Sequence, residues 1–155
     1  MLVDKTDLKI LEILQDNCRI SLRDIARSVG LSSPSVVERI RKLEKKGILR
    51  GYRAIVDARK VGKDITAFIG VSVSHPQQIG SFEKEIEKVE DILECHHVTG
   101  DHTFMLKVKT ENTSTLENLI RQIRSIEGVT RTLTSVVLST PIEKTALHFN
   151  SQVEE

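Results

Sequence analysis

The chain has 155 residues, 39% hydrophobic and 29% charged, with a net charge of +1, a balance that fits a folded globular protein and excludes a disordered one. Its apolar runs, such as Ala67 to Val73, fall far short of the roughly 18 residues that span a bilayer, so neither a transmembrane helix nor a membrane partner is expected. The small net charge conceals a split: residues 1–60 hold 14 Lys and Arg against 8 Asp and Glu, and the remainder 9 against 14, which points to two functional units and an anionic partner for the first.

Asp4 and Asp7 stand where a secretory signal would be basic and then apolar, so a cytoplasmic location is expected. Cys18 and Cys95 are the two cysteines of the chain. They are too far apart for a C-x-x-C pair and are expected as small buried hydrophobes, not as a disulfide framework.

In chain order, Thr6 or Asp4 caps a first helix that carries Ile10, Ile13 and Leu14 on one face, with Leu11 at its edge and Asp16 and Asn17 near its end. Ser21 and Asp24 stand at capping-box spacing and open a short second helix with Leu22, Ile25, Ala26 and Val29 apolar. Gly30 then suits a left-handed C-terminal cap. After Leu31, Ser32 or Ser33 caps a third helix with Pro34 at its first position, running to Lys46 and stopping at Gly47. The turn between the second and third helices is about four residues, the spacing of a helix-turn-helix. Ile48 to Val56 alternates like a strand and is expected as a wing or connector carrying Arg50 and Arg53.

The third helix separates a plain helical bundle from a DNA reader. At about 100° per residue, Val36, Ile40 and Leu43 share one stripe, while Ser35, Glu38, Arg41, Lys42 and Lys45 cover the opposite side. Arg and Lys on one exposed helix do no more than solvate it; the three-helix spacing, the caps and the basic first half favour double-stranded DNA as a partner. In such readers the N-terminal residues of the second helix of the motif touch base edges and cations farther along meet phosphates. Ser35, Val37 and Glu38 are then base-edge candidates, and Arg39, Arg41, Lys42 and Lys45 phosphate candidates, with Ser33 and Arg50 completing the DNA-binding set. Arg39 lies at the flank of the helix, where the alternative is a brace of the domain through the first helix. Glu38 either accepts from a cytosine amino group or pairs with Lys42.

The second half reads as strand over Thr66–Val73, helix over Ile79–Val89, strands over Ile92–Val98 and Thr103–Val108, helix over Leu116–Ile126 and strand over Val129–Ser139. This βαββαβ order describes a ferredoxin-like unit with both helices on one face of an antiparallel sheet. The uncovered face is also apolar, since Met105 lies opposite the Phe104, Leu106 and Val108 set, so a second copy is expected to cover it. The fold class is α+β: a winged-type helix-turn-helix domain over residues 1–50, a strand and linker over 51–64, and a ferredoxin-like effector-binding and oligomerisation domain over 65–155.

Four stretches carry a family resemblance. They are Asp7 to Gln15, Ser32 to Ile48, Val98 to Val108, and Val136 to Ser139 with Lys144 to Leu147. Together they resemble the leucine-responsive and asparagine-responsive (Lrp/AsnC, feast/famine) transcription regulators over nearly the whole chain. The resemblance implies dimers built through the C-terminal sheets, often assembled into octamers, and regulation by amino acids or related metabolites.

It also implies an effector pocket near the loop joining the second and third strands of the second domain and the facing last strand. Here the loop is Gly100, Asp101, His102 and Thr103. Asp101 is the carboxylate for an ammonium, and Gly100, Thr103, Thr134 and Ser135, with Thr132 beside them, are donors for a carboxylate. Many relatives carry an acid where Thr103 stands, which implies altered selectivity. Without a ligand, Gly100-Asp101 is simply a turn.

An enzyme is the alternative, because His96, His97 and His102 cluster near one strand end. The sirohaem decarboxylases, tetrapyrrole-modifying enzymes, resemble these regulators in architecture. His96 and His97 point to opposite faces of a strand and cannot both ligate one metal. No phosphate loop, HExxH or nucleophile motif accompanies them. No catalytic residue, metal or cofactor is expected.

Overall fold

The computed structural model describes residues 3–149. The chain forms two compact units. One comprises the residues up to Ile55 together with the C-terminal segment from Ile142, and the other Val56–Pro141. Residues 142–149, grouped with the second domain by the sequence pattern, thus pack with the first unit.

The first unit holds α1 (Lys5–Asp16), α2 (Leu22–Val29) and α3 (Ser33–Lys45). Asp4 caps α1 in a reciprocal capping box with Asp7, which decides between Thr6 and Asp4. At α2 the box is only half made: Ser21 accepts the Asp24 N–H at 3.1 Å, but the Asp24 carboxylate takes the Ser21 hydroxyl at 2.6 Å. Gly30 ends α2 at φ 69°, the left-handed conformation that a side chain disfavours. Ser32 caps α3, so Ser33 is its first residue and Pro34 its second. The apolar faces close on a core of Ile10, Leu14, Ile25, Ala26, Val36 and Ile40.

The strand expected over 48–56 does not form: Gly51 to Val56 run without secondary structure, and Ile55 and Val56 are 89% and 62% exposed. Alternation makes a strand only where a ladder partner takes up the backbone groups, and none pairs with this stretch among the described residues. The Tyr52 hydroxyl donates to Glu44 at 3.0 Å. Partial burial, and then the Glu44 carboxylate, push its pKa up to about 12. The C-terminal segment meets α1 at Gln15, whose carboxamide donates to the Leu147 carbonyl (3.0 Å) and accepts the Leu147 N–H (2.7 Å).

The second unit is the βαββαβ arrangement: β1 (Ile65–Val73), α4 (Ile79–Glu87), β2 (Ile92–His97), β3 (Phe104–Thr110), α5 (Thr113–Arg124) and β4 (Val129–Val136). The sheet is antiparallel in the order β2-β3-β1-β4. Ala67, Ile69 and Val71 of β1 and Phe104, Leu106 and Val108 of β3 pack under Phe82 and Ile86 of α4 and Leu116, Leu119 and Ile123 of α5. Phe82 and Phe104 stack with centroids 4.8 Å apart; truncating such a buried ring costs about 3–5 kcal/mol. The other face leaves Phe68 and Leu133 40% and 50% exposed, with Met105 half-buried in register with Gly70.

Both cysteines are exposed, not buried. Cys18 follows the end of α1, and Cys95 lies on β2 at the sheet edge, where small size and apolar character do not ensure cover.

Candidate nucleic-acid interface and effector loop

The three-residue turn Gly30–Ser32 links α2 to α3, and Val36, Ile40 and Leu43 of α3 are buried. That anchoring leaves Ser35, Glu38, Arg41, Lys42 and Lys45 exposed, with Arg50 exposed beyond the helix. Ser33 and Val37 are half-buried. The Ser35 hydroxyl lies 2.8 Å from that of the cap residue Ser32, which orients it at the helix start. Glu38 and Lys42 are 3.6 Å apart with side chains 58% and 66% exposed, so the carboxylate has a neighbouring cation. Arg39 is placed differently from the other cations: its Nη1 lies 2.7 Å from both Asp4 and Asp7. This is the brace to the first helix that its flank position offers, with Asp4 and Asp7 as the partners. Arg23 and Arg27 on α2 are exposed on the same motif, two cations beyond the sequence-predicted set, which the basic pattern of the third helix does not signal.

In the second unit, the loop before β3 is tied to the end of β1. The Thr103 N–H donates to the Val71 carbonyl (2.9 Å), and the Thr103 hydroxyl accepts the Val73 N–H (3.0 Å). Gly100 has φ 112°, a turn conformation suited to glycine, and Asp101 is exposed. The His102 ring lies over Gly70, where even a methyl group would collide with it, and its Nδ1 is buried without a hydrogen-bond partner. Since Ile69 and Val71 face the helices, Gly70 and His102 belong to the open face.

The last strand divides between the two faces. Thr132 and Thr134 are in register with Val71 and Ile69, on the helix side, whereas Ser135 is in register with Phe68 on the open side. Arg131, in register with Ser72, is exposed on that open side. It adds a cation near the loop, through Ser72, whose hydroxyl donates to the Asp101 carbonyl at 3.4 Å.

The three histidines do not converge. His97 is in register with Phe104, its ring 5.0 Å from that ring, while His96 is in register with Met105 on the open face. His96 pairs with Glu94 at 3.1 Å, and Glu94 also accepts from Lys107 at 3.2 Å. His96 and then Lys107 hold the Glu94 carboxyl below its ordinary range. Among the described residues, no group of three His, Cys, Asp or Glu side chains is disposed to hold a metal ion.

A family model for winged helix-turn-helix DNA-binding matches residues 3–50, and the Lrp/AsnC ligand binding domain matches residues 66–147. The chain belongs to the Lrp/AsnC family. It is a DNA-binding transcription regulator of the Lrp/AsnC type.

The HTH-type transcriptional regulator FL11 of Pyrococcus horikoshii is 36% identical over 145 residues, covering 94% of this chain and 95% of that protein. The regulatory protein AsnC of Escherichia coli K12 is 30% identical over 145 residues, covering 93% and 95%. The solved structure of E. coli AsnC superposes with a TM-score of 0.87 at 29% identity, covering 94% of this chain and 99% of that one. A transcriptional regulator from Neisseria meningitidis, NMB0573, solved as its L-Met complex, superposes with a TM-score of 0.90 at 29% identity over 96% and 97% of the two chains. These Lrp/AsnC relatives are named as regulators of transcription, not as enzymes. No helix among the described residues is long and apolar enough to cross a membrane.

Proposed function

We propose that this Lrp/AsnC regulator lays α3 in the DNA major groove and changes its DNA occupancy in response to an amino acid or a related carboxylate metabolite. The observation that carries the DNA half is the capped, basic outer face of α3 standing on a buried apolar stripe. Ser33, Ser35, Val37 and Glu38 lie toward the helix start, where base edges are reached. Arg41, Lys42, Lys45 and Arg50 lie farther along and meet phosphates. Arg23 joins them, because the first helix of such a motif crosses the backbone.

The effector half rests on the loop Gly100, Asp101, His102 and Thr103. Asp101 supplies the anion for an ammonium, and Arg131, in register with Ser72 beside the loop, supplies a cation for a carboxylate; Ser135 adds a hydroxyl farther along the same open face. Thr132 and Thr134 share the strand but face the helices, so they act by shaping it. That NMB0573 is a complex with L-Met supports an amino acid as the ligand class. The exposed Phe68 and Leu133 on the open face support a homodimer, which pairs two readers on a two-fold site, with assembly to an octamer as a further step. The protein acts without catalysis, cofactor or metal.

The test is selection of duplexes from a randomised pool by the full-length protein, repeated with each standard amino acid and common keto acids. A ligand present at about 100 times its dissociation constant adds about 2.7 kcal/mol to the native state. It therefore raises the melting temperature, and Asp101→Ala abolishes the rise. Enrichment of no sequence would refute the DNA-reading half. Unchanged melting and oligomer size across the panel would refute sensing and leave the second unit as an assembly platform.

A further inference from the structure

Arg39 leaves the outer face of α3 and reaches the first turn of α1. Its Nη1 donates to Asp4 Oδ2 and Asp7 Oδ1, each at 2.7 Å. The other oxygen of each carboxylate serves the α1 cap: Asp4 Oδ1 accepts the Asp7 N–H at 2.8 Å, and Asp7 Oδ2 accepts the Asp4 N–H at 3.3 Å. Each carboxylate oxygen thus has its own bond, and the closed network joins the start of α1 to the middle of α3. Arg39 and Asp7 are 32% and 17% exposed, far more shielded than the Glu38–Lys42 pair on the outer face.

The network carries two carboxylates and one guanidinium, a net charge of −1. An Arg39 that swung out to a phosphate would leave two carboxylates unneutralised beside a polyanion, and Asp7 is too enclosed for water to compensate fully. Arg39 commits Nη1 to the two carboxylates, and a guanidinium whose charge they already neutralise adds little attraction for a phosphate.

We propose that Arg39 is a positioning residue for DNA recognition: with Asp4 and Asp7 it fixes the orientation of α3 against α1, and sequence discrimination depends on that clamp although none of the three touches DNA. This rests on the reading of α3 as the DNA-reading helix. A phosphate contact adds affinity without sequence information and steepens the salt dependence, whereas a clamp sets how well base edges are met and leaves that dependence alone.

The experiment uses full-length protein, a duplex selected from a randomised pool by the parent protein, and a scrambled duplex of equal length. Arg39→Gln and Asp7→Asn are each expected to lower the ratio of selected to scrambled affinity about tenfold, within the discrimination carried by one bidentate base contact. The slope of log affinity against log salt is expected to stay that of the parent. The double variant should be no worse than the worse single, because both remove one shared interaction. If Arg39→Gln does not fold by circular dichroism, Arg39→Lys replaces it and should retain part of the ratio.

A slope shallower by about 0.9 in Arg39→Gln, with discrimination intact in Asp7→Asn, would make Arg39 a phosphate contact and overturn the proposal. Unchanged discrimination in both singles, or strict additivity in the double, would overturn it too. Failure of the underlying reading shows separately, as an unchanged slope when Lys42 and Arg41 are both replaced by Ala.

Discussion

Lys42 offers the sharpest test of how the outer face of α3 meets DNA. Its ammonium lies 3.6 Å from Glu38, with the two side chains 66% and 58% exposed. A solvent-exposed i,i+4 pair on a helix contributes about 0.3–0.5 kcal/mol, so a phosphate displaces Glu38 at small cost. Lys42→Ala should therefore barely move the melting temperature, by about 2–4 °C at most for a unit of this size. One lost phosphate contact flattens the slope of log affinity against log salt by about 0.9, so between about 50 and 200 mM salt the variant loses about 3.5-fold less affinity than the parent. A two-fold dimer that uses Lys42 in both half-sites doubles the exponent, to about 12-fold. Glu38→Gln has the opposite sign: it removes a carboxylate facing the polyanion, so binding to a scrambled duplex should tighten. Fluorescence anisotropy of a labelled duplex over a salt series measures both. An unchanged slope in Lys42→Ala, with the fold intact, would refute the placement of this face against the phosphates.

Three further outcomes follow from particular contacts. Gly70→Ala should displace the His102 ring, since the new methyl would collide with it; unchanged His102 ring resonances in the variant would contradict that packing. The Asp4 carboxyl is held below its ordinary value of 3.8, first by the Asp7 N–H and then by Arg39. A depressed acid stabilises the fold above its unfolded pKa and loses that stabilisation as pH falls through the folded one, so melts below about pH 4 should fall more steeply for the parent than for Asp4→Asn. Finally, Gln15→Ala should speed exchange of the Leu147 amide proton, which now donates to Gln15; equal exchange rates would show that the segment is held by something else.

The elements most legible in sequence are those punctuated by residues with one strong local role. Gly30 ends α2 because only the left-handed conformation closes that turn, and Ser32 caps α3 because its hydroxyl accepts the Ser35 N–H. The βαββαβ order is legible because period-two and period-3.6 apolar patterns alternate cleanly. What local pattern cannot carry is the identity of a distant partner. Alternation over 48–56 reads as a strand, yet a strand exists only with a ladder. The flank position of Arg39 admits a brace to the first helix, yet which residues it meets there, Asp4 and Asp7 from more than thirty positions away, no local pattern shows. Thr132 and Thr134 read as ligand donors beside Ser135, yet register with buried Val71 and Ile69 turns them to the helix side. Cys18 and Cys95 read as core because their chemistry is apolar, and exposure at a helix end and a sheet edge is decided by topology alone.

The first unit combines the three N-terminal helices with the segment 142–149, and its small core gives the reason. A three-helix motif of this size buries a small core, here little more than Ile10, Leu14, Ile25, Ala26, Val36 and Ile40, and small cores leave stability marginal. Two bonds from Gln15 to the backbone of residue 147 add only about 0.5–1.5 kcal/mol each at an exposed site. Their greater effect is topological. The segment follows β4 in sequence and closes on α1, the helix whose first turn holds Arg39. The capping box, the Arg39 clamp and the Gln15 contact therefore act on one helix. On the proposed reading of α3 as the DNA-reading helix, α1 fixes the frame in which α3 meets its site.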